Sequence, residues 1–131
     1  MIFGVGGVGS HVTSAIVRAG VKKITIIDFD RVTLSSLNRH AIATRKDVGK
    51  SKVEIFEAFV KNLNPTIELN TIEAYINPEN IKDFFTSIPD YVVDCIDNID
   101  AKTALVAYCV KNGIKIIVCC GAGMKCDPTR L

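Results

Sequence analysis

The sequence predicts an α/β fold in which helices cover both faces of a doubly wound (Rossmann-like), mostly parallel sheet. A glycine-rich turn, Gly4–Ser10, follows a short apolar run and precedes a helical pattern. The next apolar run ends in an acidic residue, Asp28, about 20 residues after this turn. Further apolar runs alternate with helical patterns, which is typical of βαβ units. We expect the strand order 3-2-1-4-5 for such a sheet.

Composition indicates one domain and says little about partners. The chain has 131 residues, 48% of them hydrophobic, which is enough for one core. Its 16 Lys and Arg nearly balance 14 Asp and Glu, so charge alone predicts neither nucleic-acid nor membrane binding. Five cysteines without C-x-x-C spacing favour a reduced, intracellular and cytoplasmic protein, with organelle association left open. No apolar run reaches the length of a membrane span.

The glycine turn is the first candidate site. Gly4, Gly6 and Gly9 fit a G-x-G-x-x-G pattern, and Gly7 lies within it. Because glycine lacks a Cβ, the backbone can approach a phosphate closely, and the N–H groups at the start of a helix favour an anion. The four glycines are therefore candidate nucleotide ligands. The alternative is a tight turn that binds nothing.

A second strand is predicted over Lys23–Asp28, after a helix over residues 10–19 that Gly20 ends. Asp28 has the spacing of a carboxylate that accepts the ribose hydroxyls of a nucleotide. The alternative is that Asp28 caps the loop that follows the strand. Asp30 competes for either role.

The segment 29–50 lacks a strong period and begins a basic region. Its basic residues and those just after it include Arg39, His40, Arg45, Lys46, Lys50 and Lys52. Scattered cations often form only a solvated surface. Lys52 differs because Ser51 and Glu54 form a capping-box pattern, which predicts a helix over residues 51–62. A lysine in the first helical turn opposes the helix dipole unless it neutralises a bound anion.

The second half of the chain completes the sheet. We predict strands over residues 67–72, 91–96 and 115–120, a short helix over 77–86 and a helix over 101–111.

Because the fourth strand lies beside the first in the expected order, Asp97 would face the glycine turn. A carboxylate beside phosphates requires a cation such as Mg²⁺ between them. Alternatively, Asp97 or Asp100 caps the next helix, with Asp100 the better fit, and Asp94 is an inward structural group.

Six motifs occur in order along the chain: Gly4-x-Gly-Gly-x-Gly-Ser10, Asp28-Phe-Asp30, Asn38-Arg39, Val48-Gly-Lys-Ser-Lys52, Asn64-Pro65 and Asp94-Cys-Ile-Asp-Asn98. Together they resemble the adenylating superfamily that includes ThiF, MoeB and ubiquitin-activating enzymes. They span nearly the whole chain. The ending Gly121-Ala-Gly-x-x-x-Asp-Pro-Thr129, with Ala107-Tyr-Cys109, is similar to the tRNA threonylcarbamoyladenosine dehydratase branch.

The resemblance implies a role for each motif. Asp28 would bind the ribose of ATP, Arg39 and Lys52 the triphosphate, and Asp97 the magnesium, while the glycines form the phosphate cradle. Arg39, Lys52 and Asp97 would be the catalytic residues. The remaining nucleotide-binding candidates are Asp30, Ser36 and Asn98. Ser36 departs from many sulfur-carrier activators, which have Asn there, and this weakens a polar contact to the triphosphate.

The activity implied is ATP-dependent adenylation of a carboxylate. In the dehydratase branch the carboxylate belongs to threonylcarbamoyladenosine of tRNA, and an internal oxygen then closes a ring with net loss of water. In other branches it is the C-terminus of a ubiquitin-like or sulfur-carrier protein. The resemblance also implies a homodimer, whose partner supplies an arginine from a segment that precedes the glycine turn.

Other interpretations stay open. We expect residues 1–131 to be the core of an ATP-binding adenylation domain, truncated at both ends, which alone binds nucleotide weakly. An NAD-binding dehydrogenase domain shares the glycine turn and Asp28 but gives no reason for the cations and Asp97. A catalytically silent nucleotide-binding module is the third possibility. Cys126 has no identifiable base and is not a nucleophile, and His40 is predicted to be exposed, with no catalytic role for it or His11.

Overall fold

The computed structural model describes residues 1–121 and Thr129 and has the predicted α/β fold. Its strands are β1 (Ile2–Phe3), β2 (Lys23–Asp28), β3 (Glu68–Glu73), β4 (Val92–Asp94) and β5 (Ile116–Val118), and its α-helices are α1 (Gly7–Arg18), α2 (Lys52–Leu63) and α3 (Ile99–Lys111). All strand pairs are parallel, in the order β3-β2-β1-β4-β5. The expected fold class and strand order are therefore confirmed.

Successive residues of the central strands point to opposite faces of the sheet, which separates two apolar clusters. Ile2 and Ile26 belong to a cluster under α1 and α2, where Phe56 is fully buried. Their neighbours Phe3 and Ile27 belong to the cluster under α3. Helices on both faces explain why the central strands are continuous apolar runs rather than alternating ones.

Several element boundaries differ from the predicted ones. Helix α1 begins at Gly7 rather than Ser10, because the Ser10 N–H already donates to the Gly6 carbonyl at 3.0 Å. The fourth and fifth strands are shorter than predicted, with three residues each. The short helix expected over 77–86 is a 3₁₀ turn, Ile81–Phe84. The N–H groups of Glu79 and Asn80 donate to Asn77 Oδ1 and hold an irregular loop before this turn.

The start of α3 corrects a predicted cap. The helix begins at Ile99, and the Ala101 N–H donates to Asn98 Oδ1 at 2.9 Å. Asn98 is therefore the N-cap, and neither Asp97 nor Asp100 is. In the part of the chain that the structure describes, no helix combines the length and the apolar character that crossing a membrane requires.

Candidate nucleotide-binding site

The carboxyl ends of β1, β2 and β4 meet around a cavity of about 320 Å³. Its lining residues are Gly4, Gly6, Gly7, Val8, Asp28, Phe29, Asp30, Arg39, Lys52, Tyr75, Ile76, Cys95, Ile96, Asp97 and Asn98. Two larger cavities, of about 550 and 460 Å³, contain neither the glycine turn nor a residue from the basic region. The smaller cavity is the candidate site because it combines helix-start N–H groups with two cations. Most of the predicted site residues line it; Gly9 and Ser36 do not.

The glycines of the turn differ in their surroundings. A Cβ on Gly9 would lie 1.9 Å from the Gly4 carbonyl oxygen, and one on Gly4, whose φ is +84°, would lie 2.9 Å from the Cys95 carbonyl oxygen. These two positions need glycine for packing. A Cβ on Gly6 would meet nothing within 4 Å and would project into open space. Gly6 thus leaves room at the cavity, beside the α1 N–H groups that lack an intrahelical acceptor.

Asp28 connects the second strand to the glycine turn. The Val5 N–H donates to Asp28 Oδ2 and the Asp30 N–H donates to Asp28 Oδ1, both at 2.7 Å. Burial raises the pKa of this carboxyl, and the two backbone hydrogen bonds and the Lys52 ammonium oppose that shift. The second bond is the loop-capping alternative considered from the sequence. Asp28 also lines the cavity, so capping the loop and binding a ligand are compatible.

Lys52 enters the cavity from the first position of α2. Its Nζ donates to Asp30 Oδ2 at 2.5 Å, and only 8% of its side chain is exposed, against 47% for Asp30. Ser51 is the N-cap residue, as the capping-box pattern predicts, but its buried hydroxyl makes no capping hydrogen bond. The lysine is thus held inside the site by an acid that solvent also reaches.

Arg39 and Ser36 come from the irregular segment after β2, and only one of them reaches the cavity. Arg39 Nη1 donates to the Ser35 carbonyl at 2.8 Å, and the arginine stem packs on Gly7. Within residues 1–121 its guanidinium contacts no carboxylate, which leaves its charge available. The Ser36 hydroxyl donates to the Thr33 carbonyl at 2.7 Å and accepts from the Thr33 N–H. Its predicted contact with a triphosphate stays a prediction.

His40 is buried, so the prediction of an exposed loop histidine is wrong. Only 7% of the residue is exposed, because its ring packs beside Phe56. The Ala43 N–H donates to His40 Nδ1 at 3.1 Å. Burial and then the nearby Lys52 charge lower the pKa of His40 to about 4. The imidazole is therefore neutral at physiological pH and fixes the loop that follows Arg39.

Two acids at the end of β4, Asp94 and Asp97, have different surroundings. Asp94 is fully buried and accepts from Lys102 Nζ at 2.7 Å, which confirms that it is an inward structural group. Asp97 is exposed and lines the cavity. In the described part of the chain, Asp97 has no hydrogen-bond or ion-pair partner, and no three metal-ligating side chains cluster anywhere. One carboxylate suits Mg²⁺ when phosphates supply further oxygens.

A pair of aromatic residues that lines the cavity is missing from the predicted site. The rings of Phe29 and Tyr75 meet edge to face, with centroids 4.8 Å apart, and both residues are about half exposed. Ile76 and Ile96 also line the cavity. The position of Phe29 directly after the strand-end acid was the available sequence signal, since the neighbours of Asp28 must line the same edge.

Cys95 was also absent from the predicted site. It lines the cavity, and its Sγ lies 3.7 Å from Cys119 Sγ. Burial and the neighbouring Cys119 raise the pKa of the Cys95 thiol to about 12, so it is not a nucleophile. Cys126 lies outside the described residues, and so do most residues of the ending Gly121–Thr129 on which the dehydratase likeness partly rests.

Comparisons with known proteins match the whole chain. The ThiF family model matches residues 1–131. The tRNA threonylcarbamoyladenosine dehydratase of Haemophilus influenzae is 41% identical over 130 residues, which are 99% of this chain and 50% of that protein. The solved structure of the E. coli tRNA N6-threonylcarbamoyladenosine dehydratase TcdA in complex with ATP is similar with a TM-score of 0.93 and 36% identity, over 98% of this chain and 53% of that one.

A relative of a different activity matches as well. The molybdopterin-synthase adenylyltransferase of Haemophilus influenzae is 31% identical over 127 residues, covering 97% of this chain and 51% of that protein. The chain spans about half the length of these curated relatives.

Proposed function

The chain belongs to the ThiF family, and from this premise we propose that its cavity binds ATP and that the protein adenylates a carboxylate. One observation carries the proposal: the lining of a single cavity combines phosphate-binding groups with aromatic rings. Glycine N–H groups, Arg39, Lys52 and Asp97 are of the first kind, and Phe29 and Tyr75 are of the second. A base, a ribose and a polyphosphate together require this combination. The ATP complex of a dehydratase of nearly identical fold supports the same conclusion.

In the proposed reaction a substrate carboxylate oxygen attacks the α-phosphorus of ATP. A new P–O bond forms, the bond to the β-phosphate oxygen breaks, and pyrophosphate leaves with its electron pair. The protein contributes position and charge rather than a nucleophile. Arg39 and Lys52 stabilise charge on the phosphate oxygens, and the N–H groups at the start of α1 point at the same oxygens.

The metal is part of this proposal. Asp97 would hold Mg²⁺, which neutralises phosphate charge when it is bound. Its free carboxylate, with no cluster of three metal-ligating side chains among the described residues, fits an ion that takes most of its ligands from phosphate and water. Lys52, held by Asp30 in the present structure, would exchange this partner for a phosphate oxygen.

The substrate that we propose is threonylcarbamoyladenosine in tRNA. The support is the dehydratase relative at 41% identity. Loss of AMP from the adenylate, as an internal oxygen attacks the activated carbonyl carbon, then completes an ATP-driven dehydration. We further propose that the whole protein is a homodimer. Light scattering on the whole protein tests this; a monomeric mass at micromolar concentration contradicts it.

The second candidate substrate is the C-terminal carboxylate of a ubiquitin-like or sulfur-carrier protein. The molybdopterin-synthase adenylyltransferase relative favours it, at 31% identity. The same site would activate either carboxylate, so the acyl acceptor distinguishes the two. An NAD-binding dehydrogenase domain is disfavoured because it leaves Arg39, Lys52 and Asp97 without a common role.

Single-turnover adenylation by the whole protein tests the proposed function. We expect pyrophosphate release that requires Mg²⁺ and tRNA carrying threonylcarbamoyladenosine. Asp97→Asn should slow release about 100-fold, the range for loss of one electrostatic group. Asp100→Asn is the matched control, since Asp100 is an exposed carboxylate that lines a different cavity. Equal effects of the two substitutions, or tighter binding of NAD than of ATP in calorimetry, would contradict the proposal.

Ribose recognition is a separate test. Asp28→Asn should bring the affinities for ATP and for its 2′-deoxy analogue close together while leaving an oxygen that accepts one of the two backbone N–H groups. Retained discrimination would assign the ribose to Asp30 instead.

A further inference from the structure

Charge is distributed unevenly around the cavity. The basic segment, residues 29–52, carries six Lys or Arg side chains and only two acids, Asp30 and Asp47. By contrast, residues 73–100 carry seven acids and a single cation, Lys82. Both stretches line the same cavity, the first through Arg39 and Lys52 and the second through Asp97. A polyanion that reaches this site therefore meets attraction on one side and repulsion on the other.

Ion pairs neutralise only part of the basic segment. Arg31 pairs with Glu73, Lys50 with Asp47 and Lys52 with Asp30. The remaining cations are Arg39, Arg45 and Lys46, none of which contacts a carboxylate within residues 1–121. Arg45 and Lys46 are exposed and begin a 3₁₀ turn, Arg45–Asp47.

Asp47 is engaged by groups other than these two cations. The Thr44 hydroxyl and N–H both donate to Asp47 Oδ2, at 2.7 and 3.0 Å, and Lys50 Nζ contacts Oδ1 at 3.0 Å. The Thr44 hydroxyl and then Lys50 lower the pKa of Asp47 to about 2, so it stays ionised in this arrangement. Arg45 and Lys46 are therefore exposed on a turn that the hydrogen bonds of Asp47 hold in shape.

The loop that carries them is fixed to the walls of the site. The Ala41 N–H donates to Ser10 Oγ at 2.9 Å, and His11 Nε2 lies 3.2 Å from the Arg39 carbonyl. His40 is buried between these two contacts. Arg45 lies six positions after Arg39, which limits the distance between their Cα atoms to about 20 Å. The two free cations therefore keep a defined position near Arg39.

We propose that Arg45 and Lys46 form a docking surface for the backbone phosphates of the RNA substrate. This rests on the proposed function, which makes that substrate an RNA. Phosphate contacts position a nucleic acid without reading its bases. Contacts at Arg45 and Lys46 would bring the RNA to the site over the basic segment and keep its backbone away from Glu79, Asp97 and Asp100, so that the reacting nucleoside enters beside Arg39.

The test is RNA binding by the whole protein, measured by fluorescence anisotropy with an unmodified tRNA transcript at several KCl concentrations. The variant Arg45→Ala/Lys46→Ala should bind about 10-fold more weakly at moderate salt, and the slope of log K against log salt should fall by one to two, at about 0.7 to 0.9 per lost phosphate contact. The matched control is Lys82→Ala/Lys111→Ala. It removes the same charge from two exposed cations on the 3₁₀ turn Ile81–Phe84 and α3, on the other face of the sheet.

Unchanged tRNA affinity in the first variant, or equal losses in both, would overturn the proposal, because the second result means that only net charge matters. ATP affinity should stay unchanged in both variants. If ATP affinity falls in Arg45→Ala/Lys46→Ala, a further variant, Arg45→Lys/Lys46→Arg, keeps both charges. The proposal then requires that this variant binds tRNA like the wild type. If the wild-type protein binds no tRNA at all, the proposed function and the docking surface both fail. If only the variant loses tRNA affinity, the docking surface is supported and the proposed adenylation is not affected.

Discussion

Two sides of the same cavity are held in place by different interactions. The glycine wall, residues 4–9 and 94–97, is built from backbone contacts and buried charge. The basic segment, residues 29–52, is built from hydrogen bonds between side chains and nearby backbone groups. Both sides contribute lining residues, yet we expect them to tolerate substitution very differently.

At Gly4 and Gly9 of the glycine wall there is no free space for a side chain. The Cys95 N–H donates to the Phe3 carbonyl at 2.8 Å, and Gly4 and Gly9 pack against neighbouring backbone. Asp94 is fully buried with Lys102. The sequence here is therefore set mainly by the fold, and substitutions test the fold first.

In the basic segment the polar contacts are local. Ser36 bonds to Thr33 and Thr44 to Asp47, each within three residues. Such bonds keep an irregular loop in one shape without occupying Arg39, Arg45 or Lys46 with an acid. Nothing in the folding of this segment requires these cations. Their presence is therefore better explained by a ligand, and substitutions there test function first.

The largest expected effect is on the glycine wall. Gly9→Ala should destabilise the protein by more than about 4 kcal/mol or prevent folding, because its Cβ would overlap the Gly4 carbonyl oxygen and backbone must move. Gly6→Ala is the control within the same turn: its Cβ meets nothing within 4 Å, so stability should change little while ATP affinity falls. Thermal unfolding and calorimetry measure both. Similar stability of the two variants would remove the distinction between packing and ligand-facing glycines.

The second prediction concerns the buried charge of the glycine wall. Lys102→Met should cost about 3 kcal/mol of unfolding free energy, because it leaves Asp94 ionised and buried without its cation. Lys111→Met, at an exposed position of α3, is the control and should cost little. Urea unfolding measures the difference. If Lys102→Met unfolds like the wild type, the pair contributes no net stability and Asp94 does not need it.

The sequence predicted the glycine wall better than it predicted the basic segment. The glycine pattern, the bounds of β2 and the inward role of Asp94 were predictable because the spacing of apolar residues and the need for close backbone contact leave their mark on the sequence. The residues after β4 were harder to predict. Asn98 rather than Asp100 caps α3, and both residue types can form a cap, so only the backbone geometry decides between them.

For the basic segment, the sequence predicted the composition but not the conformation. Its cations were visible, but periodicity does not reveal 3₁₀ turns held by single side chains, and so the burial of His40 was missed. The engagement of the Ser36 hydroxyl with Thr33 and the meeting of Phe29 with Tyr75 likewise depend on long-range loop placement. The assignment of Arg39 and Lys52 to one site needed the resemblance as well as the pattern.

The third prediction tests the basic segment. Arg39→Ala should weaken ATP binding by roughly 10- to 100-fold, because a hydrogen bond to a charged group contributes about 1.5–3 kcal/mol. Its unfolding temperature should stay near the wild-type value, since among the described residues the guanidinium contacts only the Ser35 carbonyl and Asn38. Arg31→Ala is the control: Arg31 is exposed, pairs with Glu73 and does not line the cavity. A large loss of stability in Arg39→Ala, or equal ATP affinity of the two variants, would contradict a ligand-determined role.

The last prediction concerns His40, the buried histidine that anchors the basic segment. With its pKa lowered to about 4, His40 stays neutral in the fold while the unfolded chain takes up a proton below about pH 6.5. Between these values the unfolded state binds more protons, so His40 makes stability fall as the pH falls, by at most about 1.4 kcal/mol per pH unit for one proton. His40→Gln should therefore lose less stability than the wild type between pH 6.5 and 4, as measured by urea unfolding, and below this window the difference should become constant. His11→Gln, which changes an exposed histidine, is the comparison variant. Parallel curves for the wild type and His40→Gln would mean that the imidazole is protonated in the fold, and that the loop after Arg39 is open enough to solvate it.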